Sequence, residues 1–387
     1  MPQTNANEYF RLFFETAQAI LSARNLQTTL DSLVERTVVA LGVKGGILRL
    51  IDEGSNNLVQ VAAFGLSEAY LQKGALNADQ SIPEVLAGKP VWIKNAYDDP
   101  RLQYPEALRA EGLNTVLSVP VIAGEQVIGV LRLHSVEPRD YSPEDLEFVS
   151  ALAEMGGLAI ANARLTQAEG DKLTALFKEI GVDQPQAAET GEPQLDLAPI
   201  QPVDPARSLA YFRTLHEVTR AVLSTRDSKQ VVQLIVDKVV RIMRIKGSAL
   251  RLRNETTHEL ELIATSGLSA KFLAKGQPHT AQSISATLAG QPVLILDTAH
   301  DPRLEYPAET VAEGIASILS MPIVARQRVV GVLRLYSAEQ RQYSQEELTF
   351  LSALAEIAGV AIMNARLSEK TRNDLSFWAA TLGYLQD

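Results

Sequence analysis

One sequence pattern occurs twice in this chain at a constant spacing of 202 residues, and this repeat limits the folds available to it. The segment Asp-Pro-Arg-Leu begins at Asp99 and again at Asp301, and Gly-Val-Leu-Arg-Leu begins at Gly129 and again at Gly331. The same spacing relates segments that begin in the first copy at Tyr9, Tyr104, Glu111, Leu117 and Asn162. This period exceeds the roughly 20–50 residues of solenoid repeats, so each copy is predicted to fold as a complete domain.

The length and composition agree with two globular domains. The chain has 387 residues, which suits two domains of about 100–200 residues each. Hydrophobic residues make up 46% and charged residues 21%, as in globular proteins. We find no long uncharged apolar run of membrane-spanning length and no basic start followed by an apolar stretch. We therefore expect a cytoplasmic protein that does not contact a membrane.

Several kinds of chemistry are excluded or disfavoured by residue counts. The chain contains no cysteine, which excludes disulfides, thiolate catalysis, zinc–thiolate sites and thioether-linked chromophores. A net charge of −10, without any run of Lys and Arg, argues against nucleic-acid binding. The five His residues form no metal-binding spacing, and no glycine pair matches a phosphate-binding loop. We expect no cofactor and no metal.

Hydrophobic periodicity predicts two helices at the start of each copy, then short strands, then a long final helix. In the first copy the predicted elements are helices at Glu8–Leu21 and Leu26–Leu41, strands at Gly46–Ile51 and Leu58–Phe64, a short helix at Ser67–Leu76, a strand at Pro90–Lys94 and a hairpin of Val116–Ile122 with Gln126–His134. The last helix begins after Ser142, a predicted N-cap, and continues with an interruption at Gly170 to Ile180.

The same patterns predict the domain boundaries. The first domain covers residues 1–180, and a Pro-rich linker follows at 181–208. Scattered Pro among Gln, Ala, Glu and Asp cannot bury enough apolar surface to fold alone. The second domain covers 209–370. A tail at 371–387 is rich in Leu and aromatic residues, so we expect it to dock onto a partner helix or subunit.

These motifs, in this order, resemble the GAF domain, a PAS-like α/β (α+β) sensor module. The resemblance rests on Leu-Ser-Val-Pro-Val-Ile from Leu117, Tyr-Ser-Pro-Glu-Asp-Leu from Tyr141 and Ala-Ile-Ala-Asn-Ala-Arg-Leu from Ala159, each with a counterpart in the second copy. It covers nearly the whole chain apart from the linker and tail. It implies an antiparallel sheet with the terminal helices on one face and a ligand pocket on the other. It also implies a signalling role, commonly as a homodimer built from the terminal helices.

Two activities of the GAF family find no support in these residues. Cyclic-nucleotide-binding members share an Asn-Lys pair after the last strand, followed by Phe and then Asp-Glu. This chain has His134-Ser135 and Tyr336-Ser337 in place of Asn-Lys, and Tyr141 and Tyr343 in place of Phe. The match is poor, so cyclic-nucleotide sensing is disfavoured. Bilin attachment and methionine sulfoxide reduction in this family use cysteine, which the chain lacks.

Candidate ligand-binding residues come from the strands, from the loop after the third predicted strand and from positions that differ between the copies. They are Arg49, Trp92, Asp99, Arg101, Tyr104, Ser118, Arg132 and His134 in the first copy, and Arg251, Leu294, Asp301, Arg303, Tyr306, Ser320, Arg334 and Tyr336 in the second. If the four arginines within strands point into the pockets, they could bind a carboxylate or phosphate. The alternative is that they face solvent or pair with a neighbouring Glu.

For several of these candidates we favour a structural role over a chemical one. Asp99 and Asp301 precede Pro, which favours an Asx-type turn over acid–base chemistry. Ser118 has no His and Asp partner at plausible positions in both copies, which argues against a nucleophile. His134 could reach a ligand, although a surface or core role is the commoner one. Because some of these positions differ between copies, we hypothesise that the two pockets do not bind the same molecule equally.

The sequence therefore predicts a sensor of an unknown small molecule, with no attached output domain, that signals to a downstream protein through its terminal helices. A ligand-free dimerisation scaffold, with pockets closed by side chains, is the competing hypothesis. An enzyme is the third, and it is disfavoured because no nucleophile–base or metal constellation recurs in both copies.

Overall fold

A computed structural model describes residues 9, 13, 26–52, 54–74, 76–78, 83–180, 205–225, 227–254, 256–274, 285–325 and 328–383, with the backbone alone for 165–180, 205 and 367–383. The helix predicted at Glu8–Leu21 therefore lies mostly outside the described residues. So do residues 181–204 of the predicted linker. The tail side chains, whose docking was predicted, are also outside this description.

The chain divides into two compact units. One comprises residues 1–164 with 204–212, and the other comprises 165–203 with 213–387. The division at residue 164 falls inside a long helix, whereas the sequence places the end of the first domain at residue 180. Below, domain 1 denotes the sheet and helices before the linker, and domain 2 denotes those after it.

Domain 1 contains most of the predicted elements at nearly the predicted bounds. They are α1 (Leu26–Leu41), β1 (Gly45–Ile51), β2 (Asn57–Phe64), α2 (Glu68–Leu71), β3 (Leu76–Asn77), α3 (Pro83–Leu86), β4 (Val91–Ile93), α4 (Pro105–Glu111), β5 (Thr115–Ala123), β6 (Gln126–Ser135) and α5 (Pro143–Ile180). The helix predicted at residues 67–76 is shorter than predicted, a single turn at Glu68–Leu71. Its N-cap is Ser67, whose side chain accepts a hydrogen bond from the backbone N–H of Tyr70.

Domain 2 repeats this order. Its elements are α6 (Pro205–Ser224), α7 (Ser228–Met243), β7 (Gly247–Arg253), β8 (Leu260–Ser266), α8 (Ala270–Leu273), α9 (Ser285–Leu288), β9 (Val293–Ile295), α10 (Pro307–Ala312), β10 (Ser317–Ala325), β11 (Arg328–Ser337) and α11 (Gln345–Gly383). The helix α6 begins at Pro205, so its first four residues lie in the predicted linker, which ends at residue 208. The helix α11 continues into the predicted tail.

Each domain is built on one antiparallel sheet. The strand order is β3-β2-β1-β6-β5-β4 in domain 1 and β8-β7-β11-β10-β9 in domain 2. The predicted hairpin is confirmed, because β5 and β6 pair from Thr115–Ser135 to Ala123–Gln126 with a register shift after Val121. The mixed antiparallel sheet with flanking helices is the predicted fold class.

The two faces of the domain 1 sheet are covered differently. Gly46 and Leu133 are register partners on the face covered by α1, since a Cβ on Gly46 would meet Val34 and Val38 of that helix. Because side chains alternate along a strand, Ile47 lies on the opposite face. It joins a separate buried apolar cluster there. The helices and the second cluster therefore lie on opposite faces of the sheet, as the resemblance implied.

The long helix α5 begins as predicted. The Ser142 hydroxyl accepts a hydrogen bond from the backbone N–H of Asp145 at 3.1 Å, and the Asp145 carboxylate accepts one from the Ser142 backbone at 2.9 Å. This reciprocal pair is a capping box with Asp as its acidic member. The predicted interruption at Gly170 is wrong, because the helix runs through that residue. A single Gly lowers helix stability by only about 1 kcal/mol, which the neighbouring turns can offset.

Among the helices that the structure describes, two have the length and composition that membrane spans require. They are Pro143–Arg164 and Gln345–Arg366, with mean hydropathies of 1.2 and 1.6. More than half of each apolar window, 61% and 67%, is buried inside its own protein. Core helices of ordinary globular domains meet the same criteria, so this observation is weak support for a membrane span.

A glycine in each final helix permits close contact with the sheet. A Cβ on Gly157 would lie 1.9 Å from the carbonyl oxygen of Ile122, and one on Gly359 would lie 2.2 Å from that of Val324. Both obstacles are backbone atoms, which cannot rotate away. The neighbouring Gly156 would meet only the flexible end of Leu33, at 3.1 Å. Of the two adjacent glycines in α5, Gly157 is therefore the one that the close contact requires.

We predict that Gly157→Ala lowers the unfolding free energy of domain 1 by about 2 kcal/mol or more, because the helix must move off the sheet. The matched variant Gly156→Ala should change it by less than about 1 kcal/mol, since Ala also favours the helix. Urea denaturation followed by circular dichroism would measure both. Equal losses in the two variants would contradict the proposed role of Gly157.

Candidate functional site

The strand register places a row of polar side chains on the sheet face away from α1. Arg132 pairs with Ile47 of β1 and with Ser118 of β5, while His134 pairs with Val116 of β5. Directly paired residues in an antiparallel sheet share a face, and so do residues two apart on a strand. Arg132, His134 and Ser118 therefore lie together on the sheet face away from α1.

Short helices and loops cover this row with apolar side chains. The buried cluster on this face includes Tyr70 of α2, Leu76 of β3, Leu102 of the loop before α4, and Leu108 of α4. Between cover and sheet lies a cavity of about 10 Å³, lined by Tyr70, Lys73, Leu76, Leu102, Gln103, Tyr104, Leu108, Val116, Arg132 and His134. This volume is about that of the space a single water molecule needs.

The four strand arginines are buried. Arg49 and Arg132 in domain 1 are 6% and 7% exposed, and Arg251 and Arg334 in domain 2 are 6% and 5% exposed. The solvent-facing alternative is therefore wrong for all four. Arginine is rarely buried to this degree unless it has a partner or a function.

Burial of several cationic groups together lowers their pKa values. Removal from water lowers the pKa of Arg49 to about 10, and the charge of Arg132 adds to the effect. Burial also lowers the pKa of Arg132. The pKa of His134 lies well below its usual value, first through burial and then through the charges of Arg132 and Lys73. His134 is consequently neutral at physiological pH and can donate one hydrogen bond and accept another.

Lys73 completes the cationic group, and the sequence analysis missed it. Its Nζ atom donates a hydrogen bond to the backbone oxygen of Tyr70 at 3.1 Å and lies 3.3 Å from the centre of the Tyr70 ring. Burial, then Arg49 and Arg132, lower the Lys73 pKa to about 7. A signal was present, because the Lys-Gly pair recurs at Lys275, which lies outside the described residues.

His134 and Ser118 have unused hydrogen-bonding capacity. Both ring nitrogens of His134 and the hydroxyl of Ser118 are buried without a hydrogen-bond partner. The His134 ring meets the Tyr70 ring edge to face, with 5.4 Å between centroids. Buried polar atoms are usually satisfied, so these atoms mark a place where a ligand or water would gain hydrogen bonds.

The domain 2 residues that match Ser118 and His134 both hydrogen-bond to Arg334. Arg334 Nε donates to the Ser320 hydroxyl at 3.1 Å, and the Arg334 side chain also shares a hydrogen bond with Tyr336. Tyr336 packs edge to face on Phe272, with 5.7 Å between ring centroids. Burial lowers the Arg334 pKa, whereas Tyr336 and Glu305 raise it. Two buried nitrogens of Arg251, Nε and Nη1, have no hydrogen-bond partner.

The loop after β4 is held by its own ion pair. Asp99 accepts from the backbone of Arg101 at 2.9 Å and from its guanidinium at 2.9 and 2.7 Å. Asp301 and Arg303 repeat this arrangement at 2.9, 2.9 and 2.6 Å. The predicted Asx-type turn is confirmed in both copies. The hydrogen bond from Arg101 holds the pKa of Asp99 below its usual value.

In each loop the Asp and the Arg thus bond to one another, and Asp99 and Arg101 do not line the cavity described above. Their second contacts are local, since Arg101 also approaches Glu84 at 3.4 Å and Arg303 donates to the Leu294 carbonyl at 3.2 Å. Both pairs therefore fix the conformation of their own loops.

Trp92 and Leu294 lie on the other face of the sheet. Trp92 is the register partner of Leu117, and Leu294 is that of Leu319, which places both on the helix side at an edge strand. Trp92 is 37% exposed. Tyr104 does line the cavity, and Tyr306 occupies the equivalent position before α10. A Cβ on Gly74 would meet the Tyr104 hydroxyl at 2.8 Å, so the Gly permits this approach.

Among the residues that the structure describes, no group of three or more His, Asp or Glu side chains could hold a metal ion. What the domain 1 cluster offers chemically is a set of buried donors and positive charges. Such a set binds and orients an anion or a polar ligand.

Comparisons with known proteins concern one domain at a time. A curated relative, the formate hydrogenlyase transcriptional activator of Salmonella typhimurium (strain LT2), is 24% identical over 161 residues, which is 40% of this chain and 23% of that protein. The corresponding FhlA of Escherichia coli (strain K12) is 23% identical over the same length. The chain thus spans about a quarter of the length of these relatives.

Among solved structures, the GAF domain of a phosphoenolpyruvate-protein phosphotransferase from Coxiella burnetii is 21% identical, with a TM-score of 0.38, covering 42% of this chain and 98% of that one. A free methionine-R-sulfoxide reductase from Neisseria meningitidis, in complex with its substrate, is 18% identical, with a TM-score of 0.37, covering 43% and 96%.

The family model described as the GAF domain matches residues 23–161 and again residues 225–363. These two matches cover most of the chain and follow the repeat found in the sequence. Both contain the sheet and the start of the final helix described above. The protein belongs to the GAF domain family, and it carries two GAF domains in tandem.

Proposed function

We propose that this protein senses a small molecule and acts in signalling or regulation, with the ligand bound in the domain 1 cavity. The observation that carries the proposal is the convergence of Arg132, His134 and Lys73 on one cavity, on the sheet face opposite α1. GAF domains are associated with sensory or regulatory roles, and this coarser assignment holds for the chain as a member of the family.

The free-energy cost of burying several like charges together indicates that this cluster has a function. Arg49, Arg132 and Lys73 are like charges withdrawn from water, and each lowers the pKa of at least one neighbour in the cluster. Of the described acidic residues, Glu111 is the one that acts on the pKa of Lys73, and it has the smallest effect named there. Burying like charges together lowers stability, so fold stability alone does not account for the group.

A second function, the ligand-free scaffold, is favoured by the size of the cavity. A volume of about 10 Å³ leaves little room for anything beyond a water molecule. In the sensor, ligand entry therefore requires that the cover, which includes Lys73, moves away from the sheet. In the scaffold, Lys73 simply fills the cavity.

The signal would leave through the opposite face of the sheet. Because Gly157 fixes α5 directly against the Ile122 backbone, a shift in the sheet would be transmitted to this helix. We propose a homodimer formed by the terminal helices and a downstream signalling protein as partner, in the cytoplasm. The regulatory name of the curated relatives supports this direction, although they match only one domain. We propose no enzymatic activity.

Native mass spectrometry tests the sensor against the scaffold. We expect the purified protein, incubated with a metabolite extract, to carry an added mass that is released on denaturation. The Arg132→Met variant, prepared in parallel, should lose that mass. A bare mass for both proteins under all conditions would favour the scaffold.

The pH dependence of stability provides a second test. The pKa of Lys73 is about 7 in the folded protein and about 10.4 when unfolded, so folding releases a proton between these values and stability rises with pH there. Lys73→Met removes this dependence. We expect the variant to be more stable than the parent at pH 6, with a gain that shrinks from pH 7 to pH 9.

Chemical denaturation at several pH values would measure the difference between the two proteins. Lys89→Met, at an exposed turn, is the control and should give a difference that does not change with pH. A Lys73→Met variant that is destabilised equally at every pH would show that Lys73 packs as a structural side chain.

A further inference from the structure

We propose that the domain 1 cavity binds a short-chain carboxylate, with its carboxylate group against Arg132, His134 and Ser118, and that domain 2 does not bind this ligand. This inference rests on the proposed sensing function and adds the ligand class and the domain.

The sheet side of the cavity supplies donors suited to a carboxylate. The guanidinium of Arg132 can pair with two oxygens, and the Ser118 hydroxyl lies beside it in the register. His134, neutral and with both nitrogens unsatisfied, can donate through whichever nitrogen carries its proton. Unsatisfied buried donors next to positive charge select an anion over a neutral or cationic ligand.

Part of the remaining lining is apolar. Leu76, Leu102 and Leu108 from the cover and Val116 from β5 form this part, beside the polar side chains of Lys73, Gln103 and Tyr104. An inorganic oxyanion would leave the apolar part without a contact. A ligand with one anionic end and a short hydrocarbon tail matches both parts of the lining once the cover moves outward to make room. We therefore favour a carboxylate over phosphate or sulfate.

Domain 2 differs at the positions that matter. Tyr336 stands where domain 1 has His134, Phe272 where it has Tyr70, and Glu305 where it has Gln103. Arg334 is occupied by hydrogen bonds to Ser320 and Tyr336, and the charge of Glu305 acts on it favourably. An incoming carboxylate would have to displace the first two partners and would be repelled by the third.

Equilibrium dialysis of the full chain with radiolabelled butyrate tests the proposal, with unfolding by differential scanning fluorimetry beside it. We expect about one butyrate per chain. At about one hundred times its Kd, butyrate should raise one unfolding midpoint by about 5 °C or more. Arg132→Met should weaken binding by roughly tenfold to a hundredfold, whereas Arg334→Met at the matched position in domain 2 should leave it unchanged.

Two double variants distinguish a loss of binding from a loss of folding. The double variant Tyr70→Phe with His134→Tyr gives domain 1 the Phe272 and Tyr336 pair that domain 2 already accommodates, and it should abolish butyrate binding while the chain still unfolds cooperatively. The reverse double variant in domain 2 should leave domain 1 binding intact.

Several outcomes would overturn the carboxylate assignment. They are two butyrates per chain, loss of binding in Arg334→Met alone, and a response to phosphate without one to butyrate. No saturable butyrate binding, together with a different bound mass in native mass spectrometry, would overturn this inference and leave the sensing proposal standing. Neither butyrate nor any other bound mass would overturn both.

Discussion

The antiparallel register between β5 and β6 is the constraint on which the rest of each domain depends. In domain 1 it turns Leu131 and Leu133 toward the helices, and turns Arg132 and His134 toward the cavity. A slip by one residue would exchange these sets, burying the charges under α1 and exposing the leucines to the polar cavity. The contrast between an apolar face and a cationic face therefore specifies the register, because a slip by one residue would place each set of side chains on the wrong face.

Close contact between helix and sheet makes this arrangement rigid. Gly157 and Gly359 each bring a helix onto the backbone of the longest hairpin, close to the register shift after Val121 or Ile323. A bulge bends its strand and raises its twist. The helix thus touches the sheet where the strand deviates from regular geometry, so a change in strand twist would alter the contact.

Much of the fold could be predicted from the sequence, and the site only partly. Periodicity located the hairpin and the start of α5, because these elements follow local rules of alternation and capping. Lys73 was missed because its placement depends on a turn folding back over the sheet. Trp92 was assigned to the pocket although the register of an edge strand puts it on the other face. Long-range pairing decides such positions, and a single sequence does not reveal it.

Duplication explains why two nearly identical frameworks hold different sites. Ser118 and Ser320, and Arg132 and Arg334, keep the same places, yet Ser320 is bonded to its arginine and Ser118 has no hydrogen-bond partner. The difference follows from the neighbours, since a tyrosine hydroxyl at 336 can bond the arginine and a neutral imidazole at 134 does not. One substitution at the end of the last strand therefore separates a site whose serine and strand-end side chain bond the neighbouring arginine from a site where both still have hydrogen bonds to offer.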